Sequence, residues 1–332
     1  MKNFVSVENL KVYFPIRKLF KTIGTVKAVD DVSLSMQRGE TVALVGESGC
    51  GKTTFGKAVL GAVRPYSGKI YFDGMDINNV NGNHLRRIRR RIGAIFQDPY
   101  SSLNPMFTIY RIVEEPLVVH GIGTPEERKK MVMKALEDVK LIPTSDFAYK
   151  YPHQISGGQR QRVAIARAII SRPEFIVADE PVTMLDASIR VEILLLLREI
   201  QRKLGLTMLY ITHDIATAKY FSDRIVVMYA GKFVETGPTR EVLKNPNHPY
   251  TQCLIDAIPD PDPRNRLVLR KVVAGEPPSL INPPPGCRFY PRCPFFMKGK
   301  CDAAVPPMFQ TGENRFSACF LHEVVEPSSK QA

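Results

Sequence analysis

The run Gly46-Glu47-Ser48-Gly49-Cys50-Gly51-Lys52-Thr53, followed by Thr54, carries the residue types that polyphosphate chemistry needs. Four residues separate Gly46 from Gly51, and Lys-Thr follows at once, which is the P-loop spacing. Glycines let successive backbone N–H groups turn inward without Cβ clashes. Those donors, with the N-terminus of a helix opening at about Gly51, hold phosphate oxygens. Lys52 is expected to reach the β- and γ-phosphates, and the Thr53 hydroxyl to bind Mg²⁺. Cys50 reads as a small loop residue whose alkylation should block turnover, with nucleotide protecting it.

A second motif supplies the acid. Phe175-Ile176-Val177-Ala178 is an apolar run ending in Asp179-Glu180. Asp179 is expected to hold Mg²⁺ through water and Glu180 to polarise an attacking water, a division of labour suited to hydrolysis. Two adjacent buried carboxylates with no such task would be costly. A third motif, Ser156-Gly157-Gly158-Gln159-Arg160-Gln161-Arg162, opens an Ala- and Ile-rich helix. Ser156 is a good N-cap that leaves free N–H groups at the helix start, a second place for an anion.

Positioning these groups requires strands that end where helices begin. Strands fit Val5 to Val12, the alternation Val32, Leu34, Met36, and then Thr41 to Gly46, Lys69 to Phe72, Ile92 to Gln97, Phe175 to Asp179, Met208 to Thr212, Ile225 to Tyr229 and Phe233 to Thr236. Helices fit Glu126 to Lys140, Gly157 to Ile170, Ser188 to Leu204 and Ile215 to Phe221. Their alternation predicts an α/β fold with a largely parallel sheet covered on both faces. Residues 98–171 read as a mostly helical insertion. After Cys253 the composition changes: twelve of the 26 prolines fall between Pro259 and Pro307. Residues 1–258 and 259–332 are therefore expected to be an ATPase-type domain and a separate appendage with little regular structure.

The 332 residues are 44% hydrophobic and 24% charged, the range of a globular protein. No apolar run reaches the roughly 18 residues that span a bilayer, and the opening Met1-Lys2-Asn3-Phe4 lacks a secretory pattern. A cytosolic chain is expected, reaching the membrane only through partners. The net charge of +13 favours polyanions. Its sharpest cluster, Arg86, Arg87, Arg89, Arg90 and Arg91, reads first as a solvated helix face, with anionic lipid or a partner's acidic surface as the alternative.

Together these motifs resemble the ABC ATPase superfamily over about residues 3–258. The segment Ser156 to Arg162 resembles its signature, with Ile155 where leucine is usual. Gln97 resembles the glutamine loop that touches Mg²⁺ and the transmembrane partner. Leu185-Asp186 resembles the D-loop, with Met184 where a small residue is common, and His213 resembles the switch histidine that contacts the γ-phosphate. The resemblance implies an adenine-stacking aromatic, best fitted by Phe14 with Tyr13 as the second choice. It also implies a RecA-like P-loop core, an antiparallel β-subdomain, a helical subdomain over 98–171, and head-to-tail pairing that sandwiches two ATP molecules.

Three further segments are similar to the oligopeptide and dipeptide importer branch: Gln97 to Pro105, Tyr151-Pro152-His153-Gln154, and Asn247-His248-Pro249-Tyr250. That branch implies two permease subunits, a second ABC ATPase subunit that is a paralogue or a copy of this chain, and an extracytoplasmic solute-binding protein, with the chain at the cytoplasmic face of the membrane. Hydrophobic residues beside Gln97 would receive a permease helix. The rival class is a DNA-repair ATPase of the same superfamily; residues 98–171 are too short for the insertions those proteins carry, so no nucleic-acid partner is expected.

Cys287, Cys293, Cys301 and Cys319 are spaced x5, x7 and x17. This is not the Cys-x2–4-Cys pairing of structural zinc, and a reducing cytosol disfavours disulfides. The tail resembles the C-terminal domain of the importer branch, which implies that these thiolates ligate a [4Fe–4S] cluster. Zinc and free thiols stay open as alternatives.

Overall fold

The computed structural model describes residues 3–18, 21–258 and 275–323. Twelve strands form two sheets among these residues. The smaller sheet is antiparallel, built from β1 (Val5–Lys18), β2 (Lys21–Met36), β4 (Ser67–Phe72) and β5 (Met75–Asp76) in the order β2-β1-β4-β5. The larger sheet contains β3 (Thr41–Val45), β6 (Ile92–Ile95), β7 (Phe175–Asp179), β8 (Thr207–Thr212), β9 (Arg224–Tyr229), β10 (Lys232–Pro238), β11 (Phe309–Gly312) and β12 (Arg315–Ser317). Its order is β11-β12-β10-β9-β3-β8-β7-β6.

The five strands β6, β7, β8, β3 and β9 run parallel. Every residue of β3, β7 and β8 is buried, which is why these segments read as continuous apolar runs instead of alternating ones. Their side chains divide by parity between two cores. Val42, Leu44, Phe175, Val177, Leu209 and Ile211 face the antiparallel sheet and the helix Lys52–Val59, whereas Ala43, Val45, Ile176, Ala178, Met208 and Tyr210 face the helical side. Each fully buried Val, Leu, Ile or Phe stabilises the fold by about 1.5–3 kcal/mol, so this double covering keeps the sheet rigid beneath the loops it carries.

The helical side is built from helices Ile109–His120, Pro125–Asp138 and Gly157–Ile169, packed through Ile109, Ile112, Val113, Val132, Leu136 and Val163. Side chains fix where they start. Thr124 and Glu127 form a reciprocal capping box, as do Ser156 and Gln159. Ile155 is buried in this core, so the departure from leucine is absorbed by packing.

The tail is not a separate appendage without regular structure. β12 pairs with β10 through Glu235 opposite Ser317 and Thr236 opposite Phe316, and β11 extends the same edge. The physical reason is that β10 would otherwise present an open ladder edge, which a short hairpin covers. The Pro-rich stretch falls partly on residues 259–274, outside the described residues, as does the expected boundary at 258/259.

Candidate functional site

Parallel strands bring their C-terminal ends to one edge, and ligands of α/β sheets bind there. β3 leads into the loop 46–51, β7 into Asp179-Glu180 and β8 into His213, with Val45 opposite Thr212 and Asp179 opposite Ile211 in register. β6 ends at Ile95, two residues before Gln97, and not at Gln97 as the sequence suggests. These ends open onto a cavity of about 690 Å³ lined by Glu47, Ser48, Gly49, Gly51, Lys52, Thr53, Thr54, Gln97, Glu180, Thr183 and His213. Its other end is apolar, with Phe14, Val26, Ala28, Leu254 and Leu280.

The loop's glycines answer to close packing. A Cβ on Gly46 would stand 2.1 Å from the Met228 carbonyl, and one on Gly51, which has φ +109°, would stand 2.0 Å from that of Ala28. Lys52 donates from Nζ to the carbonyls of Gly46 (2.8 Å) and Glu47 (2.9 Å), curling back over the loop. Cys50 lies outside the cavity lining: it is buried, burial pushes its thiol up in pKa, and the Lys52 charge only partly offsets this. Gly46 likewise lies behind the lining.

The acidic motif is well defined. Burial raises the pKa of Asp179, the neighbouring Glu180 charge raises it further, and the Thr53 hydroxyl bond at 3.1 Å with the Lys57 and Lys52 charges opposes the shift. A buried carboxylate next to a hydroxyl is a donor set that suits Mg²⁺ together with phosphate oxygens; Thr53 and Asp179 would hold the ion. Glu180 adopts φ +47°, an unusual conformation for a non-glycine residue. Its Oε2 accepts from Gln97 Nε2 (3.3 Å) and Thr183 Oγ1 (3.1 Å) and lies 3.1 Å from His213 Nδ1.

Of the two aromatic candidates, only Phe14 faces the cavity. Successive strand residues point to opposite faces, so Tyr13 turns away. Its ring stacks on Tyr66 with centroids 4.9 Å apart, and its hydroxyl donates to Asp30. Ser156, Gly157, Gly158, Gln159 and Asp186 also lie outside this chain's cavity lining. The Gln159 backbone N–H donates to Ser156 Oγ (3.3 Å), and a Cβ on Gly158 would come within 2.7 Å of Ile189. Thr183, Val26, Leu254 and Leu280 line the cavity although no sequence motif singled them out. Thr183 could have been found from its place three residues after Glu180; the others are brought in by long-range packing.

The four tail cysteines are drawn together. Burial is the first cause that raises the thiols of Cys287 and Cys293 to about 11, and it raises Cys319 as well. The charges of neighbouring cysteines add to each shift, Cys301 acting on all three. Yet among the described residues no group of three or more His, Cys, Asp or Glu is placed to hold a metal ion. The thiols as positioned do not fit a cluster.

A parallel-sheet core with a glycine-rich phosphate loop, a paired carboxylate and a capped second loop on the helical side defines an ATP-binding cassette. The ABC transporter family model matches residues 29–183, and the model for the oligopeptide/dipeptide transporter C-terminal region matches residues 234–301. A putative peptide import ATP-binding protein of Brucella ovis is 46% identical over 320 residues, covering 96% of this chain and 98% of that protein. The oligopeptide transport ATP-binding protein AppF of Bacillus subtilis is 43% identical over 325 residues, covering 97% and 98%. Among solved structures, the dimeric post-hydrolysis state of the ATP-binding cassette MJ0796 bound to ADP and Pi superposes with a TM-score of 0.64 at 33% identity, over 71% of this chain and 99% of that one. The chain belongs to the ABC transporter family and is an ABC ATPase.

Proposed function

We propose that this chain is the ATP-hydrolysing subunit of an importer for oligopeptides, dipeptides or related small solutes such as oligosaccharides. The observation that carries the ATPase half is the shared cavity: Lys52 and Thr53 on one wall, Glu180 with Gln97, Thr183 and His213 on the other. The cargo class rests on the relatives and on the match to the oligopeptide/dipeptide transporter C-terminal region.

In this reading Phe14 stacks on adenine, and residues 46–54 grip the phosphates. Thr53 and Asp179 would hold Mg²⁺, which would supply neutralisation of the phosphate charge. Glu180 accepts a proton from the attacking water, while His213 and Gln97 orient the carboxylate and the γ-phosphate end. Ser156 to Gln159 and Asp186, which lie outside this chain's own cavity, serve the site of a second ABC ATPase subunit in a head-to-tail pair. No helix among the described residues is long and apolar enough to cross a membrane. In the importer reading, which rests on the relatives, the chain works at the cytoplasmic face through two permease subunits, with an extracytoplasmic solute-binding protein delivering cargo. Exposed Phe96 adjoins Gln97 and, with exposed Tyr100 and Met106 in the segment that follows, offers apolar surface to a permease helix.

A [4Fe–4S] cluster on Cys287, Cys293, Cys301 and Cys319 belongs to the same reading. Its support is the resemblance of the tail to the C-terminal domain of the importer branch; binding requires the four thiols to close in from the described positions. Protein purified without oxygen should contain iron and acid-labile sulfide and lose its visible absorbance with dithionite. Colourless protein with stoichiometric zinc would contradict the cluster.

The transport reading is tested in vesicles containing this chain assembled with its permease subunits. Solute uptake that requires ATP on the side bearing this chain, and is stimulated by the binding protein, is the expected result. Turnover stimulated by DNA and indifferent to the permeases would replace it with the nucleic-acid reading.

A further inference from the structure

The nucleotide cavity is not closed by the ATPase core alone. Residues 280 and 281 lie beside β2: the Lys27 N–H donates to the Leu280 carbonyl at 2.9 Å, and Val26 forms a single antiparallel bridge with Ile281. This pairing places Leu280 on the apolar wall with Phe14, Val26 and Ala28. At the other end of the cavity, Arg292 reaches the phosphate loop. Its Nη1 donates to both carboxylate oxygens of Glu47, at 3.1 and 3.3 Å, and to the Tyr229 hydroxyl at 3.2 Å. The Arg292 side chain is only 8% exposed, whereas Glu47 is 29% exposed and lines the cavity. The Glu47 N–H is also spoken for, donating to the Tyr250 hydroxyl at 2.9 Å.

We propose that the C-terminal appendage builds part of the ATP site in its own chain, with Leu280 contacting the nucleoside end and Arg292 acting as a positioning residue that neutralises and holds Glu47 beside the phosphates. The proposal rests on the ATP-binding reading of this cavity. Its logic is charge. A carboxylate in a phosphate-binding loop repels the polyanion that the loop must grip. A nearly buried guanidinium that forks onto both carboxylate oxygens cancels that charge and fixes the side chain in one geometry. Without it, the repulsion should grow with the number of phosphate charges, so ATP suffers more than ADP.

The test is nucleotide titration of the full-length protein, with ATP and ADP measured separately in parallel with thermal melting. Arg292→Gln should weaken ATP binding roughly tenfold and ADP binding distinctly less. Adding Glu47→Gln should restore ATP affinity to within about twofold, because no unpaired carboxylate remains, and Arg292→Lys should keep most of it. Leu280→Ala should weaken ATP and ADP alike, by about threefold, because it removes apolar contact at the nucleoside end. Equal losses for ATP and ADP in Arg292→Gln, with no rescue by Glu47→Gln, would reduce Arg292 to a structural role. Wild-type affinity in both Arg292→Gln and Leu280→Ala would remove the appendage from the site. Wild-type protein that binds neither nucleotide would overturn the ATP reading itself, and the proposal with it.

Discussion

Glu180 Oε2 lies 3.1 Å from His213 Nδ1, and the two residues come from the C-terminal ends of adjacent parallel strands. The contact depends on backbone shape: Glu180 sits at φ +47°, which turns its carboxylate off the axis of β7 toward β8. Such a conformation typically costs about 1–3 kcal/mol and persists when the surroundings impose it. Here the Glu180 N–H donates to the Ile211 carbonyl at 2.9 Å, and Gln97 and Thr183 hold the side chain. The strain has a use, because it aims the carboxylate into the cavity instead of along the sheet.

Lys52→Ala should weaken nucleotide binding before it affects stability. Its Nζ bonds are to the loop's own carbonyls of Gly46 and Glu47, and phosphate oxygens would compete for the same charge. A hydrogen bond to a charged group is worth about 1.5–3 kcal/mol, or roughly ten- to hundredfold in affinity. Calorimetric titration with ATP checks this; unchanged affinity would remove Lys52 from the site.

Cys50 should resist alkylation. The sequence suggests a small loop residue whose alkylation blocks turnover with nucleotide protecting it, but the side chain is 6% exposed, outside the cavity lining, and raised in pKa by burial. The thiolate is the reactive form. Mass spectrometry after a short iodoacetamide pulse near neutral pH should find Cys50 unlabelled in native protein and labelled in denaturant. Rapid native labelling blocked by ATP would restore the expectation drawn from sequence.

His248 should make the protein acid-sensitive. Its Nδ1 accepts from the Tyr250 N–H at 3.0 Å, and burial lowers its pKa to about 3, with the His322 charge adding to the shift and a backbone bond at Ala318 opposing it. The unfolded chain takes up the proton near pH 6.5 while the folded chain does not. Stability contributed by the neutral ring is therefore fully present above pH 6.5 and is lost as pH falls from there toward about 3, at about 1.4 kcal/mol per pH unit. Asparagine can accept the same Tyr250 bond and does not titrate. Urea denaturation at a series of pH values should show a shallower decline in His248→Asn than in the parent over this window; identical slopes would contradict the assignment.

Much of the core was legible because its signals are local. β7 and the helix Ile215–Phe221 match their sequence expectations end for end, since apolar runs and caps mark both boundaries. Within the helical insertion, Pro125–Asp138 and Gly157–Ile169 match the expected helices to within two residues at each end, whereas Ile109–His120 was not legible. Helix Ile109–His120 carries Pro116, which hides its limits. The chemistry-bearing residues were legible as motifs, but their grouping was not. Phe14 and Tyr13 differ only in which face of β1 they occupy. Arg292 and Glu47, 245 residues apart, meet only because the tail folds back along β2. The arginines ahead of β6 divide in the same way: Arg86, Arg87, Arg89 and Arg90 are exposed, while Arg91 is half-buried and donates to Asp73 at 2.8 Å and to Glu174.

The most direct measurement compares phosphate release and ATP binding in wild-type and Glu180→Gln protein, each assembled with its membrane partners and Mg²⁺. A general base typically contributes about 10²- to 10⁴-fold. Glu180→Gln should therefore bind ATP as tightly as wild type and release phosphate at least about 100-fold more slowly. Equal turnover in the two proteins, or no ATP binding in either, would contradict the account.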